Sequence, residues 1–160
     1  MTASGLAALF ICKFRLEGGD KYERDLRPQI DAACRDGAAW LAKNYSVTKN
    51  PGFSIHHYYY LYGLERAGIL GVIAKFGEHD WYQEGCEHLL VAQRGDGVWN
   101  VPNGTAGPVP DTCFALLFLA RGTTPVVEIP QRVATGGSYT EPAQGSTARD
   151  PATPPATPPR

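Results

Sequence analysis

Apolar residues recur along this chain at helical spacing, in stretches separated by glycine, proline and charge. In residues 2–14, Leu6, Leu9, Phe10 and Lys13 give a mostly apolar i, i+3, i+4 pattern, with Thr2 or Ser4 as the cap. That stretch is apolar nearly all round, which predicts a buried helix. Residues 15–27 are charged and contain Gly18 and Gly19, so a surface loop is expected. Pro28 suits the first turn of a second helix running to Asn44, with Ile30, Ala33, Ala38 and Leu41 among its apolar positions. Asn50, Pro51 and Gly52 break the chain again.

Ser54 is placed to cap a third helix that reaches Ala67 and stops at Gly68. This helix carries Tyr58, Tyr59, Tyr60 and Tyr62. Residues 69–76 read as a short apolar piece, another helical turn or two. Asp80 caps a fourth helix over residues 81–93. Residues 94–109 hold glycines and prolines and form a loop. Asp111 or Thr112 then caps a fifth helix over residues 113–121, again apolar almost all round. The pattern therefore predicts an all-α domain over residues 1–125. Beyond Pro125 the character changes: Val126, Val127, Glu128 and Ile129 read as a short strand or an extended piece, and from about residue 134 the composition is Thr, Gly, Pro, Ala and Ser, so residues 126–160 are expected to form an extended to disordered tail whose polar end cannot bury enough surface to offset its ordering entropy.

The junction after the fourth helix is the most informative stretch. Leu89, Leu90 and Ala92 continue an apolar face, Gln93 stands at the helix end, and Gly95 and Gly97 offer the positive φ that stops a helix. Gln93 is expected to help satisfy helix-end carbonyls, and Trp99 to be buried with its N–H bonded.

Net charge is −1 and there is no basic patch, which argues against nucleic-acid binding. No apolar run approaches the roughly 18 residues of a membrane span. Leu6 to Cys12 is short with no Lys or Arg before it, so neither a secretory signal nor a transmembrane segment is expected; a cytoplasmic setting is favoured. Cys12, Cys34, Cys86 and Cys113 form no C-x-x-C and are expected as buried free thiols.

The chain also repeats. A shift of 55 residues lays Thr2–Leu6 on His57–Leu61 and then on Thr112–Leu116, and brings Leu9, Leu64 and Leu119 together. A shift of 48 lays Gly37, Trp40 and Leu41 on Gly85, His88 and Leu89. Buried and outer helices then alternate, as in an array or ring of helical hairpins.

With Gly85 and Leu89 upstream, Gln93-x-x-x-Gly97-x-Trp99 resembles the QW repeat of squalene–hopene cyclases and related terpenoid cyclases. The earlier copy keeps Gly37, Trp40 and Leu41 but has Tyr45, Lys49 and Pro51 where Gln, Gly and Trp would follow. Residues 58–68 and 111–121 look like inner helices of the α/α toroid that these enzymes share with protein prenyltransferase β-subunits. The resemblance covers about residues 1–122. It implies an α/α toroid segment of about five helices in hairpins, in which the QW-like residues clasp neighbouring hairpins.

For function, the resemblance implies two readings. The D-x-D-D acid of the cyclases is absent, which favours a non-catalytic binding or scaffold segment. Its partner would be a hydrophobic small molecule, or a protein or second copy that completes the ring, since the chain carries only two and a half hairpins. The alternative is an isoprenoid-handling enzyme or subunit. Asp111-Thr112-Cys113 resembles the prenyltransferase zinc motif, and the repeat sets His56 opposite Asp111, so zinc would fall to Asp111, Cys113 and His56 or His57, although no His follows Cys113. Tyr58, Tyr59, Tyr62 and Phe114 would line the cavity. A carbohydrate-active ring would need paired carboxylates, and only Asp111 is well placed. Read without the resemblance, the residues require no cofactor: Asp111 is a cap, Cys113 a small core residue, and the tyrosines ordinary packing.

Overall fold

The computed structural model describes residues 1–53, 55–100 and 107–122, and these are all-helical. The expected tail, residues 126–160, lies outside them, as does Ser54, the expected third cap. The five α-helices are α1 (Thr2–Leu16), α2 (Arg27–Lys43), α3 (His57–Leu70), α4 (Trp81–Ala92) and α5 (Pro108–Leu119). α3 packs between α1 and α5, α2 lies against α1, and α4 lies against α3 and α5. Among the described residues no helix is long and apolar enough to cross a membrane.

Apolar burial holds this arrangement together. Leu6, Leu41, Leu61, Leu64, Leu89, Phe76 and Phe118 are essentially removed from water, each worth roughly 1.5–3 kcal/mol of transfer free energy. Two outer-helix positions recur in space as the 48-residue shift pairs them. Leu41 and Leu89 are both fully buried, and Gly37 and Gly85 both face an inner helix: added Cβ atoms would meet Leu6 and Phe118. Lys13 ties α1 to α2 through Asp31, with its Nζ 2.5 Å from Oδ1.

Several element boundaries differ from the sequence expectation, each for a physical reason. α1 starts at Thr2 with Met1 as its cap residue, and no side chain bonds there, so neither Thr2 nor Ser4 caps it. The expected loop over 15–27 contains a π-helical turn, Tyr22–Leu26, that runs straight into α2. Burial of Tyr22 holds it in place. Gly68 does not end α3; it lies inside the helix, where a Cβ would sit 2.4 Å from the Trp81 indole, so the position needs glycine for packing and not as a stop. α3 instead ends after Leu70, where Gly71 makes room for Phe10 and the chain turns through Val72 at φ 52. That is a left-handed conformation rarely adopted by a β-branched residue. Residues 73–79 are then a tight turn rather than helix: Phe76 and His79 exchange backbone bonds of 3.1 and 3.2 Å around Gly77.

α5 begins earlier than expected. Gly107 is its cap residue at φ 83, with Pro108 and Pro110 in the first turn. Proline loses nothing there, because the first N–H groups of a helix have no acceptor within it. Asp111 therefore sits inside the first turn and is buried, rather than capping the helix. Asp80 does cap α4, accepting from the Gln83 N–H at 3.0 Å.

Candidate functional site

The α4–α5 junction is a clasp. The Trp99 indole N–H donates to the Leu89 carbonyl at 2.8 Å, so the expected bond of the buried indole goes to the end of α4. The Trp99 backbone is held from the other side: its N–H donates to Thr112 Oγ1 at 3.1 Å, and the Thr112 hydroxyl donates to the Trp99 carbonyl at 3.3 Å. Thr112 belongs to α5, so one tryptophan joins the end of α4 to the start of α5. Gln93 acts within the turn. Its amide donates to the Gly97 carbonyl at 2.9 Å, while Gly97 takes φ 84 and Arg94 and Val98 close the turn at 3.0 Å. The indole, and not the Gln93 side chain, supplies the helix-end carbonyl. Gly85 lets α4 close on Phe118 of α5, and Leu89 is fully buried beneath it. Nothing in sequence spacing signals the Thr112 contact, a bond between a loop backbone and a hydroxyl 13 residues later.

A second constellation lies between α3 and α5. The Phe114 ring stacks on Tyr62 and meets Tyr59 edge-on, each with centroids 5.5 Å apart. Arg66 completes it: its guanidinium lies 5.6 Å from the Tyr62 ring centre and donates to the Tyr62 hydroxyl at 3.3 Å. This i,i+4 pairing is legible in the sequence of a helix. Tyr59 is 42% exposed and Tyr62, Phe114 and Arg66 are half-buried, so the cluster is open to solvent on one side. Tyr58 is not part of it; it is buried and its ring faces His57 at 5.1 Å. Its hydroxyl is held above the usual phenol range by burial and by the neighbouring Asp111.

The residues expected to ligate zinc divide by burial. His57 and Asp111 are buried, while His56 and Cys113 are exposed. Among the described residues no three His, Cys, Asp or Glu side chains gather as a metal site. His56 is the left-handed cap residue of α3 at φ 59. His57 Nε2 lies 2.8 Å from the Val47 carbonyl, which only accepts, so that nitrogen carries the proton. Its ring faces His88 at 5.2 Å.

Burial holds the His57 imidazole below its ordinary 6.5, and His88 adds to this against the opposing bond to Val47; burial lowers His88 as well. In the unfolded chain His57 takes up a proton near 6.5, whereas in the fold it stays neutral to lower pH. Its contribution to stability is thus complete above pH 6.5 and is lost as pH falls through the depressed folded-state value. Urea midpoints measured from about pH 7.5 down to about pH 5 should therefore fall, with a shallower slope in His57→Gln. An unchanged slope in that variant would sink the assignment.

The remaining candidates hold the fold. His79 faces Glu84 at 3.1 Å and stacks on Tyr45 at 4.2 Å, while Asp80 is occupied as a cap. Glu65 is fully buried in α3, and Arg66 serves Tyr62. Arg121 lies 3.8 Å above the Tyr82 ring, and Tyr82 donates to the Leu119 carbonyl at 2.9 Å. Both were missed, and both supply the C-terminal end of α5, where cations and donors are favoured. All four cysteines are unbridged, as expected, but only Cys34 is buried, its thiol pushed up to about 11 by burial; Cys12 and Cys113 are exposed and Cys86 is half-buried. No family model, curated protein or solved structure matches this chain.

Proposed function

We propose that this chain is a binding or scaffold segment of α/α-toroid type, related to the squalene–hopene cyclases and prenyltransferase β-subunits but performing no chemistry of its own. The open aromatic cluster of Tyr59, Tyr62 and Phe114 carries this reading. It offers ring faces and edges to an apolar or aromatic small molecule, with one cation at its border to meet a polar end. The clasp at Gly85, Leu89, Gln93, Gly97 and Trp99 supports the likeness to the toroid family, because all five residues act in one helix-joining unit. The structural employment of His57, His79 and Asp80 supports a role without catalysis.

Titration with a fluorescent isoprenoid alcohol tests the reading. Saturable binding is expected, weakened about tenfold or more in Phe114→Ala, since deleting an aromatic anchor costs on the order of 2 kcal/mol. Binding that ignores Phe114 would place the ligand elsewhere. Metal analysis of the same sample addresses the enzyme reading. Stoichiometric zinc that is lost in Cys113→Ala would favour a centre at Asp111, Cys113 and His56 or His57 over a scaffold.

A further inference from the structure

α1, α3 and α5 pack in one repeated register. Thr2, His57 and Pro108 open them, so the starts are 55 and then 51 residues apart, the second step shorter by about one helical turn. The contacts repeat with those steps. Ala3 and Ser4 of α1 lie against Gly63 of α3, and Tyr59 of α3 lies against Phe114 of α5. Phe10 meets Gly71 further along, so α1 and α3 run parallel. Each helix thus has a leading face that meets the next helix in the row and a trailing face that meets the one before. The leading positions Ala3, Ser4 and Ala7 of α1 correspond to Tyr58, Tyr59 and Tyr62 of α3, and these to Val109, Pro110 and Cys113 of α5. One turn on, Phe10 corresponds to Glu65 and Leu116.

On α1 and α3 that leading face is buried or half-buried apart from Tyr59; on α5 it is exposed throughout. Val109 is 72% and Leu116 52% exposed, and Leu117 beside them 38%. At the other end of the row, the trailing positions of α3, Tyr60, Gly63, Leu64 and Ala67, correspond on α1 to Gly5, Ala8, Leu9 and Cys12. Gly5, Ala8 and Cys12 are exposed, and nothing lies within 4 Å of where a Cβ on Gly5 would stand. One end of the row therefore presents an apolar ridge, and the other presents small residues that admit it.

We propose that these two ends are complementary: the leading face of α5 docks on the trailing face of α1 in a second copy of this chain, continuing the α1–α3–α5 row. In that register Pro110 and Cys113 meet Ala8 of the second copy, as Ser4 meets Gly63 and Tyr59 and Tyr62 meet Phe114 within one chain. The contact is head-to-tail, so it closes into a ring if the rotation per copy allows and otherwise grows as a filament. It rests on reading the chain as an array segment, but not on the aromatic cluster being a ligand site.

Sedimentation velocity on the full chain and two variants tests this. Ala8→Glu blocks only the α1 end and Leu116→Glu only the α5 end; both positions are exposed. The wild type is expected to associate with rising concentration, and each variant to self-associate at least about thirtyfold more weakly, the effect of losing an interface anchor. An equimolar mixture of the two variants keeps one intact pair of ends and should stop at a one-to-one dimer. A wild type that stays monomeric, or a mixture that stays monomeric while the wild type associates, would overturn the proposal. So would a drop in melting temperature for Leu116→Glu far beyond that of Ala8→Glu, because both variants lose the stability gained by association and only packing of Leu116 within its own chain would add to it. Isoprenoid binding measured on these samples separates the two readings. If monomers still bind, head-to-tail docking alone has failed; if association holds and binding fails, the ligand proposal alone has.

Discussion

Trp99→Ala is expected to lower the unfolding free energy by about 3–5 kcal/mol, the range for deleting a buried aromatic side chain. Three losses combine. The indole is almost wholly buried, so its removal leaves a cavity between α4 and α5. The Leu89 carbonyl loses its indole donor at 2.8 Å, although the Gln93 backbone N–H at 3.1 Å remains. The turn also loses the packing that holds the Trp99 backbone against Thr112. Trp99→Phe restores most of the volume but not the donor, and should recover more than half of the loss. Urea denaturation of the three proteins checks this. A loss below about 0.5 kcal/mol for alanine, the scale of an ordinary surface change, would mean that the clasp does not couple the two helices.

Gly85→Ala should destabilise by about 2 kcal/mol or more, even though alanine in a helix interior normally gains about 0.5–1 kcal/mol over glycine. The added Cβ would lie 2.2 Å from Phe118 Cζ and 2.6 Å from Cε1. That ring is fully buried and also packs against Trp81 and Tyr82, so it has no room to retreat. Phe118→Leu opens the space. The double variant is therefore expected to be more stable than the sum of the single losses by at least about 1 kcal/mol, a coupling that a double-mutant cycle reads directly. Additive losses would place the strain somewhere other than the Gly85–Phe118 contact. Gly85 belongs to a motif visible in the sequence; its partner Phe118, 33 residues later, does not.

The two cases differ in how far residue patterns reach. Periodic leucines and aromatics located all five helices, since an apolar face recurring every three to four residues has no stable alternative to helical burial. Asp80 was legible as a cap and Gln93 and Gly97 as a turn, because each acts on backbone three or four residues away; burial of Trp99 followed from its size, but its acceptor, ten residues back at Leu89, did not. Of the residues expected to line a cavity, Tyr59, Tyr62 and Phe114 lie in ring contact, and two of them share a helix face. Tyr58, one position before Tyr59 and four before Tyr62, turned into the core instead.

The sequence by itself determined the local elements: where helices form, which faces are apolar, and that a glycine turn and a tryptophan end α4. Tertiary structure alone decided which neighbour each glycine admits. Gly68 lies inside α3 against the Trp81 indole and Gly85 inside α4 against Phe118, while Gly71, just past the end of α3, makes the same room for Phe10. It also decided that Thr112 holds the Trp99 backbone, and that the expected zinc ligands divide between core and surface. These depend on how separate helices slide and turn against one another. That is a balance of close packing over distant positions, and no window of residues along the chain contains it.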